Sequence, residues 1–221
     1  MKVTIIGASG KTGMNLVRES LTRGYRVLAV CRTSSAGRLK EFAGNEGCTV
    51  ITASVVSDPD ALARALTDCD AVIAVLISVR DLKATELVKS LTKATATSGV
   101  RRLVFTAGEV TAVPEKDESF TLRQRLILAL SRVITLFTPY SLADMIRSSV
   151  LVRQQSDWNW TIVRAPTLND KPGTGYKLCA IDEVTAKHAL SREDYAICML
   201  DSLENPGHYK RAITVVPAGD G

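Results

Sequence analysis

The chain has 221 residues, 46 % hydrophobic and 23 % charged, with a formal net charge of +5 and a pI near 9.0. A chain of this length buries a core without metals or disulfides, and its composition is that of an ordinary globular protein. The mild basicity includes no Lys/Arg block and no aromatic residues interleaved with basic ones, which argues against nucleic acid and leaves a basic surface or an anionic ligand.

Lys2 to Ile6 predicts a first strand. From Thr12 to Arg23 the spacing of Met14, Val17 and Leu21 predicts a helix, stopped by Gly24. Arg26 to Cys31 reads as a second strand, Ala36 to Phe42 as a short helix and Cys48 to Ala53 as a third strand. Asp58-Pro59 caps a helix through Leu66, with proline at its first position. Ala71 to Ile77 is a buried-looking strand, Asp81 to Ser98 a long helix stopped by Gly99, and Arg102 to Thr106 a fifth strand. Strands and helices alternating at this spacing predict right-handed crossovers and a doubly wound parallel sheet with helices on both faces, an α/β fold of Rossmann type.

After residue 108 the rhythm changes. Residues 109–119 are polar and loop-like, Leu122 to Leu136 is apolar enough for a buried or interface helix, and Ser141 to Gln155 predicts another helix. Trp158 to Arg164 reads as a sixth strand. Gly173, Gly175 and Pro172 suggest a mobile loop over 167–179. Ser191-Arg192-Glu193-Asp194 starts the last helix with a serine cap, and Arg211 to Val216 is a final strand. With no repeat and no linker, a single domain over 1–221 is expected, in which 109–155 and 167–190 form a small discontinuous substrate region. The five cysteines (Cys31, Cys48, Cys69, Cys179, Cys198) have no C-x-x-C spacing and read as free thiols in a reducing compartment. No run reaches the ~18 apolar residues of a membrane span, and no signal-peptide pattern opens the chain, so a cytoplasmic protein without a membrane partner is expected.

Gly7, Gly10 and Gly13 sit between the first strand and the first helix. In that context the first glycine allows a sharp turn, the second a close backbone approach to a pyrophosphate, and the third tight helix–sheet packing. Free N–H groups at the helix start then meet the phosphate charge with the helix dipole aligned. The spacing is G-x-x-G-x-x-G, and a ligand-free glycine turn is the alternative. At the end of the second strand an NAD site carries an acid that binds the ribose 2′-hydroxyl. This chain has Cys31-Arg32-Thr33-Ser34-Ser35 there. Arginine cannot accept from a hydroxyl but can clamp a 2′-phosphate, so NADP(H) is favoured over NAD(H).

These motifs resemble the atypical short-chain dehydrogenase/reductase group, and within it the NmrA-like, NAD(P)H-binding branch that includes flavin reductases. The carrying stretches are GASGKTG at 7–13, Arg32, SDPDAL at 57–62, CDAVIAVL at 69–76, RRLVFTAGE at 101–109, DWNWTIVRAP at 157–166 and SREDYAICMLD at 191–201. The resemblance implies that Gly7, Ser9, Lys11, Thr12 and Gly13 hold the pyrophosphate and that Arg32 and Thr33 hold the 2′-phosphate. It puts Val55 and Val56 beside the adenine, and Leu76 and Ile77 along the inner ribose. Thr106, Ala107 and Gly108 would face the nicotinamide, with Pro166, Thr167 and Leu168 closing over it and 167–179 shaping the substrate pocket. The chain departs from its relatives at Val55, where many carry aspartate, and at Ile77, where glycine is common. It also has Ala107-Gly108 and Thr167 where the flavin-reductase branch often carries a serine and a histidine, which counts against biliverdin as substrate.

No tyrosine is followed four residues later by lysine, so the Tyr-x-x-x-Lys pair that protonates a carbonyl oxygen is absent. Hydride transfer needs no protein acid when the acceptor delocalises the charge it receives. The expected function is therefore an NADPH-dependent reductase of a flavin, quinone or other conjugated small molecule, with Thr106, Gly108 and Thr167 as pocket candidates. The alternatives are a non-catalytic NADP(H)-sensing regulator and a recruited isomerase or cyclase. His188 and His208 read as surface or structural residues, and no metal site is expected. Asp144 or Arg147 could face the pocket from the 141–155 helix, with a solvated face the favoured reading; Arg164 is expected to pair with a carboxylate, and Trp158 and Trp160 to fill the core. The segment from Leu126 to Leu130 lines a substrate pocket or a dimer interface, in a monomer or homodimer.

Overall fold

The computed structural model describes residues 1–53, 59–75, 77–78, 82–113, 126, 129–130, 133, 140–185 and 187–219. Its strands are β1 (Lys2–Ile6), β2 (Arg26–Cys31), β3 (Cys48–Thr52), β4 (Ala71–Ala74), β5 (Arg102–Gly108), β6 (Asn159–Ala165), β7 (Thr167–Asn169), β8 (Tyr176–Cys179), β9 (Ala189–Ser191) and β10 (Arg211–Pro217). The helices are α1 (Lys11–Thr22), α2 (Pro59–Ala65), α3 (Ala84–Ser98), α4 (Leu142–Arg153) and α5 (Arg192–Glu204). Eight strands form one sheet in the order β3-β2-β1-β4-β5-β6-β10-β8, and β7 pairs with β9 apart from it. The pairs are parallel except for β8, which runs antiparallel along β10.

The strands are apolar runs because both faces are covered. Val3, Ile5, Ile73 and Val104 pack with Leu16 and Val17 of α1 and Met199 of α5. Ile6, Val72, Leu103 and Ile162 turn to the other side, against Leu62 of α2, Leu87 and Leu91 of α3 and Val152 of α4. Trp158 and Trp160 belong to this second layer, and the indole N–H of Trp158 donates to Thr95 Oγ1 at 2.9 Å. This is the expected Rossmann α/β fold, with helices on both faces of the sheet.

Three local expectations need correction. The fourth strand stops at Ala74 instead of reaching Ile77, because the chain leaves the sheet after Val75 and Ser78 turns inward toward α3. Residues 167–179 are not one loop. They hold β7 and β8, and the turn between is tied down by backbone N–H groups of Gly173 to Glu193 and of Thr174 and Gly175 to Asp194. Asp144 is buried, 7 % exposed, rather than on a solvated face. Of the apolar stretch from Leu122 to Leu136, Leu126, Leu130 and Val133 are helical and exposed, at 64, 61 and 53 %. The rest of that stretch, except Ala129, lies outside the described residues, as do Asp58 and Asp81.

Candidate functional site

Crossovers leave β1 toward β2 on one side and reach β4 on the other, so the sheet has its switch point between β1 and β4. A groove of about 530 Å3 opens there, at the C-terminal ends of β1 to β4. Gly7 and Gly10 follow β1 into it, Cys31 and Arg32 come from the end of β2, and Val75 and Ile77 from beyond β4.

The three glycines answer to different neighbours. Gly7 has φ +82°, and a Cβ there would lie 2.2 Å from the Val75 carbonyl oxygen. A Cβ on Gly13 would lie 2.2 Å from Gly7 O and 2.7 Å from Ala8 O, so side chains at both positions clash with the chain's own backbone. Gly10 is different. Its φ of −77° and ψ of 162° suit any residue, and a Cβ would meet only Gly7 O, at 3.3 Å. The fold requires Gly7 and Gly13, whereas Gly10 leaves open space over the groove.

Gly10 is also the N-cap of α1, which has no side-chain cap and no acid in its first turn. Three other helices meet N-terminal amides with the protein's own side chains. Ser141 caps α4 and Ser191 caps α5. At α3 the Ala84 N–H donates to Ser78 Oγ and the Thr85 N–H to Asp144. The start of α1 therefore presents donors and a positive dipole end to the groove, which is the arrangement that holds a phosphate.

Arg32, Ser34, Ser35 and Arg38 also line the groove. Ser9 Oγ donates to Ser35 Oγ at 2.8 Å, and Ser35 Oγ donates to the Arg32 carbonyl at 3.1 Å, which ties the glycine turn to this segment. Two guanidinium groups with adjacent hydroxyls suit a phosphomonoester. Burial pushes the Cys31 thiol up, away from reactivity. Lys11 and Arg192 also line the groove, and both are ion-paired to Asp170.

A second cavity of about 290 Å3 continues from the groove and shares Thr12, Val75, Ile77 and Leu168 with it. Its lining is mostly apolar, from Val110, Leu142, Met145, Ala165 and Pro166, with Thr106, Ala107 and Gly108 at the end of β5. Tyr195 lines it too, but its hydroxyl donates to the Val163 carbonyl at 2.7 Å and accepts from the Ala107 N–H at 3.3 Å. Burial drives its pKa well above the ordinary value, so this phenol splices strand ends rather than delivering a proton.

Asp144 holds the pocket wall in place. It accepts from Ser78 Oγ at 2.7 Å and Thr85 Oγ1 at 2.5 Å, and so joins α4 to the start of α3. Burial alone would raise this carboxyl; hydrogen bonds from the hydroxyls of Thr85 and Ser78 and the amides of Thr85 and Ala84 overcome that and hold it below the usual 3.8. Asp144→Ala should cost about 2–3 kcal/mol of stability at neutral pH, because it strands buried donors. A carboxyl depressed in the folded state stabilises above its unfolded pKa and loses that contribution as pH falls through the folded value. The gap between wild type and Asp144→Ala in urea denaturation should therefore shrink below pH 3.8. A gap unchanged with pH would remove the carboxylate from this role.

Of the residues singled out in the sequence, Gly7, Ser9, Gly10, Lys11, Thr12, Arg32, Ile77 and Leu168 line the groove. Thr106, Ala107, Gly108 and Pro166 line the second cavity. Gly13 lies behind, packed on Gly7 and Ala8. Thr33 and Thr167 are exposed and line neither cavity. Val55, Val56 and Leu76 lie outside the described residues. Arg164 is buried and donates to the Ala212 carbonyl. His188 Nδ1 accepts from the Thr185 N–H, and His208 Nδ1 meets Ser202 Oγ; neither residue lines these cavities. Sequence reasoning missed Arg38, Arg192 and Asp170. A second arginine six residues beyond Arg32 could have flagged Arg38, but nothing local flags the other two. Among the described residues no helix is long and apolar enough to cross a membrane.

Residues 7–206 match a family model described as NAD(P)H-binding. The uncharacterized protein YwnB of Bacillus subtilis is 27 % identical over 231 residues, covering 98 % of each chain. A short-chain dehydrogenase/reductase from Veillonella parvula superposes with a TM-score of 0.79 at 20 % identity, over 99 % of this chain and 95 % of that one. Its structure in complex with NADP gives 0.76 at 22 % identity, over 99 % and 95 %.

Proposed function

Because the chain belongs to the NAD(P)H-binding family, we propose that it is an atypical short-chain dehydrogenase/reductase of NmrA-like type that acts as an NADPH-dependent reductase of a conjugated small molecule such as a quinone or flavin. The observation that carries this reading is the continuity of an uncapped, glycine-opened helix start with an apolar pocket. The groove fits the dinucleotide. Backbone amides at the start of α1 would hold the pyrophosphate, and Arg32 and Arg38 the 2′-phosphate, favouring NADP(H) over NAD(H). Bound there, the reduced nicotinamide supplies a hydride to the acceptor.

The chain's own work is positioning. Thr106, Ala107 and Gly108 form one wall for the ring, and Pro166 and Leu168 another. The apolar lining from 110, 142 and 145 excludes water and suits a planar acceptor. Val110, Leu142 and Met145 fall in 109–155 and Leu168 in 167–190, the segments assigned to the substrate region, whereas Thr106, Ala107, Gly108 and Pro166 lie outside them. With the Tyr195 hydroxyl committed to Val163, the acceptor's proton comes from solvent, which suits a delocalised reduced product.

Titration calorimetry with NADPH and NADH, followed by nicotinamide absorbance with FMN and a quinone, tests the reading. Tighter NADPH binding and loss of absorbance are expected. Binding without turnover would make the chain an NADP(H)-sensing protein instead.

A further inference from the structure

Lys11 is the first residue of α1 and Arg192 the first of α5. They are far apart in sequence, yet both line the groove. One carboxylate joins them. Asp170 Oδ2 accepts from Lys11 Nζ at 2.5 Å, and Oδ1 accepts from the Arg192 guanidinium at 2.6 Å. Asp170 itself does not line the groove; it holds the two cations from outside.

We propose that Lys11 and Arg192 form a two-cation clamp for the dinucleotide pyrophosphate, and that Asp170 is its internal counter-ion, displaced when the dinucleotide binds. This rests on the reading of the groove as a dinucleotide site. Two cations share one carboxylate, so the cluster keeps a net positive charge facing the amides of α1. A pyrophosphate brings two charges and several oxygens, and can meet the planar Arg192 group with paired hydrogen bonds. The lock is weak enough to yield. The Lys11 and Asp170 side chains are 70 and 55 % exposed, and ion pairs in water contribute little. Arg192 is held more firmly, at 21 % exposure, so it stays at the groove when its partner leaves.

The backbone around Asp170 limits the change to a side-chain swing. On one side Thr167, Leu168 and Asn169 pair with β9. On the other, Glu193 and Asp194 fix the amides of Gly173 to Gly175. Arg192, Glu193 and Asp194 thus hold the strap at successive points, and the strap in turn carries Leu168, which lines both cavities. Releasing Asp170 loosens one of those points next to the pocket wall.

The test compares wild type, Asp170→Asn, Arg192→Gln and the double variant by calorimetric titration with NADPH and with NADH. Both nucleotides carry the pyrophosphate, so Asp170→Asn should tighten both by the same factor, roughly threefold to tenfold. Arg192→Gln should weaken both, and Asp170→Asn should gain less in that background because its competitor role is partly gone. Asp157→Asn, an equal charge change at an exposed position before β6, controls for net charge and should leave affinity unmoved. An Asp170→Asn affinity that is unchanged, weaker or matched by Asp157→Asn overturns the clamp while the groove reading stands. If wild type and every variant bind neither nucleotide, both readings fall.

Discussion

Gly10→Val should abolish dinucleotide binding while the protein stays folded. A valine side chain at this position has the backbone angles it needs and only Gly7 O close to its Cβ, at 3.3 Å. Its methyl groups go where a phosphate would approach the amides of α1, so they separate the anion from several charge-assisted hydrogen bonds. The affinity loss should be on the order of a hundredfold or more. The cost to the fold is a poorer N-cap, about 1 kcal/mol, together with a small shift to relieve the contact with Gly7 O. Circular dichroism and urea denaturation check the fold, and calorimetry with NADPH checks binding. Gly13→Val is the contrasting case, since its Cβ meets backbone oxygens at 2.2 and 2.7 Å and the protein should not fold stably. A folded Gly10→Val protein with wild-type affinity would reduce the glycine stretch to a structural turn.

Arg32→Glu should weaken NADPH by roughly fiftyfold and NADH by no more than a few-fold. Arg32 lines the groove beside Arg38, Ser34 and Ser35, so the change removes half of a two-arginine clamp and puts a carboxylate against a dianion. NADH has a hydroxyl where NADPH has that phosphate, and glutamate can accept from it. The measurement is the ratio of the two dissociation constants. Equal losses would mean that Arg32 acts on the groove's general potential and reads no 2′-phosphate.

The strand–helix rhythm and the glycine turn were legible because they are local. Ile5, Ile6 and Gly7 fall within one short stretch, and the period of the pattern says which way each residue faces. Arg32 was legible for the same reason, as a strand end at a known distance from the glycines. What escaped depends on contacts between distant elements. Asp144 lies a helical turn from Ser141, Arg147 and Ser148 and looks solvated until α3 is placed beside it. Asp170 precedes a proline- and glycine-rich stretch that reads as loop, although two residues of α5, Glu193 and Asp194, pin that stretch in place. SREDY at 191–195 was visible as a helix cap. It also ties the Asp170 strap, through Arg192, Glu193 and Asp194, to the pocket floor, through Tyr195. Only three-dimensional proximity reveals that.

The unequal reasons for the three glycines leave a trace over evolutionary time. Gly7 and Gly13 are enforced by the chain's own backbone, and any descendant that keeps the fold must keep them. At Gly10 the backbone sets a weaker limit, one contact with Gly7 O at 3.3 Å, and the stronger one would come from a phosphate that approaches from outside. A lineage that abandoned the nucleotide would drift first at this position, to alanine or serine, while the flanking glycines persisted. The middle glycine is thus a marker of whether a descendant still uses its groove.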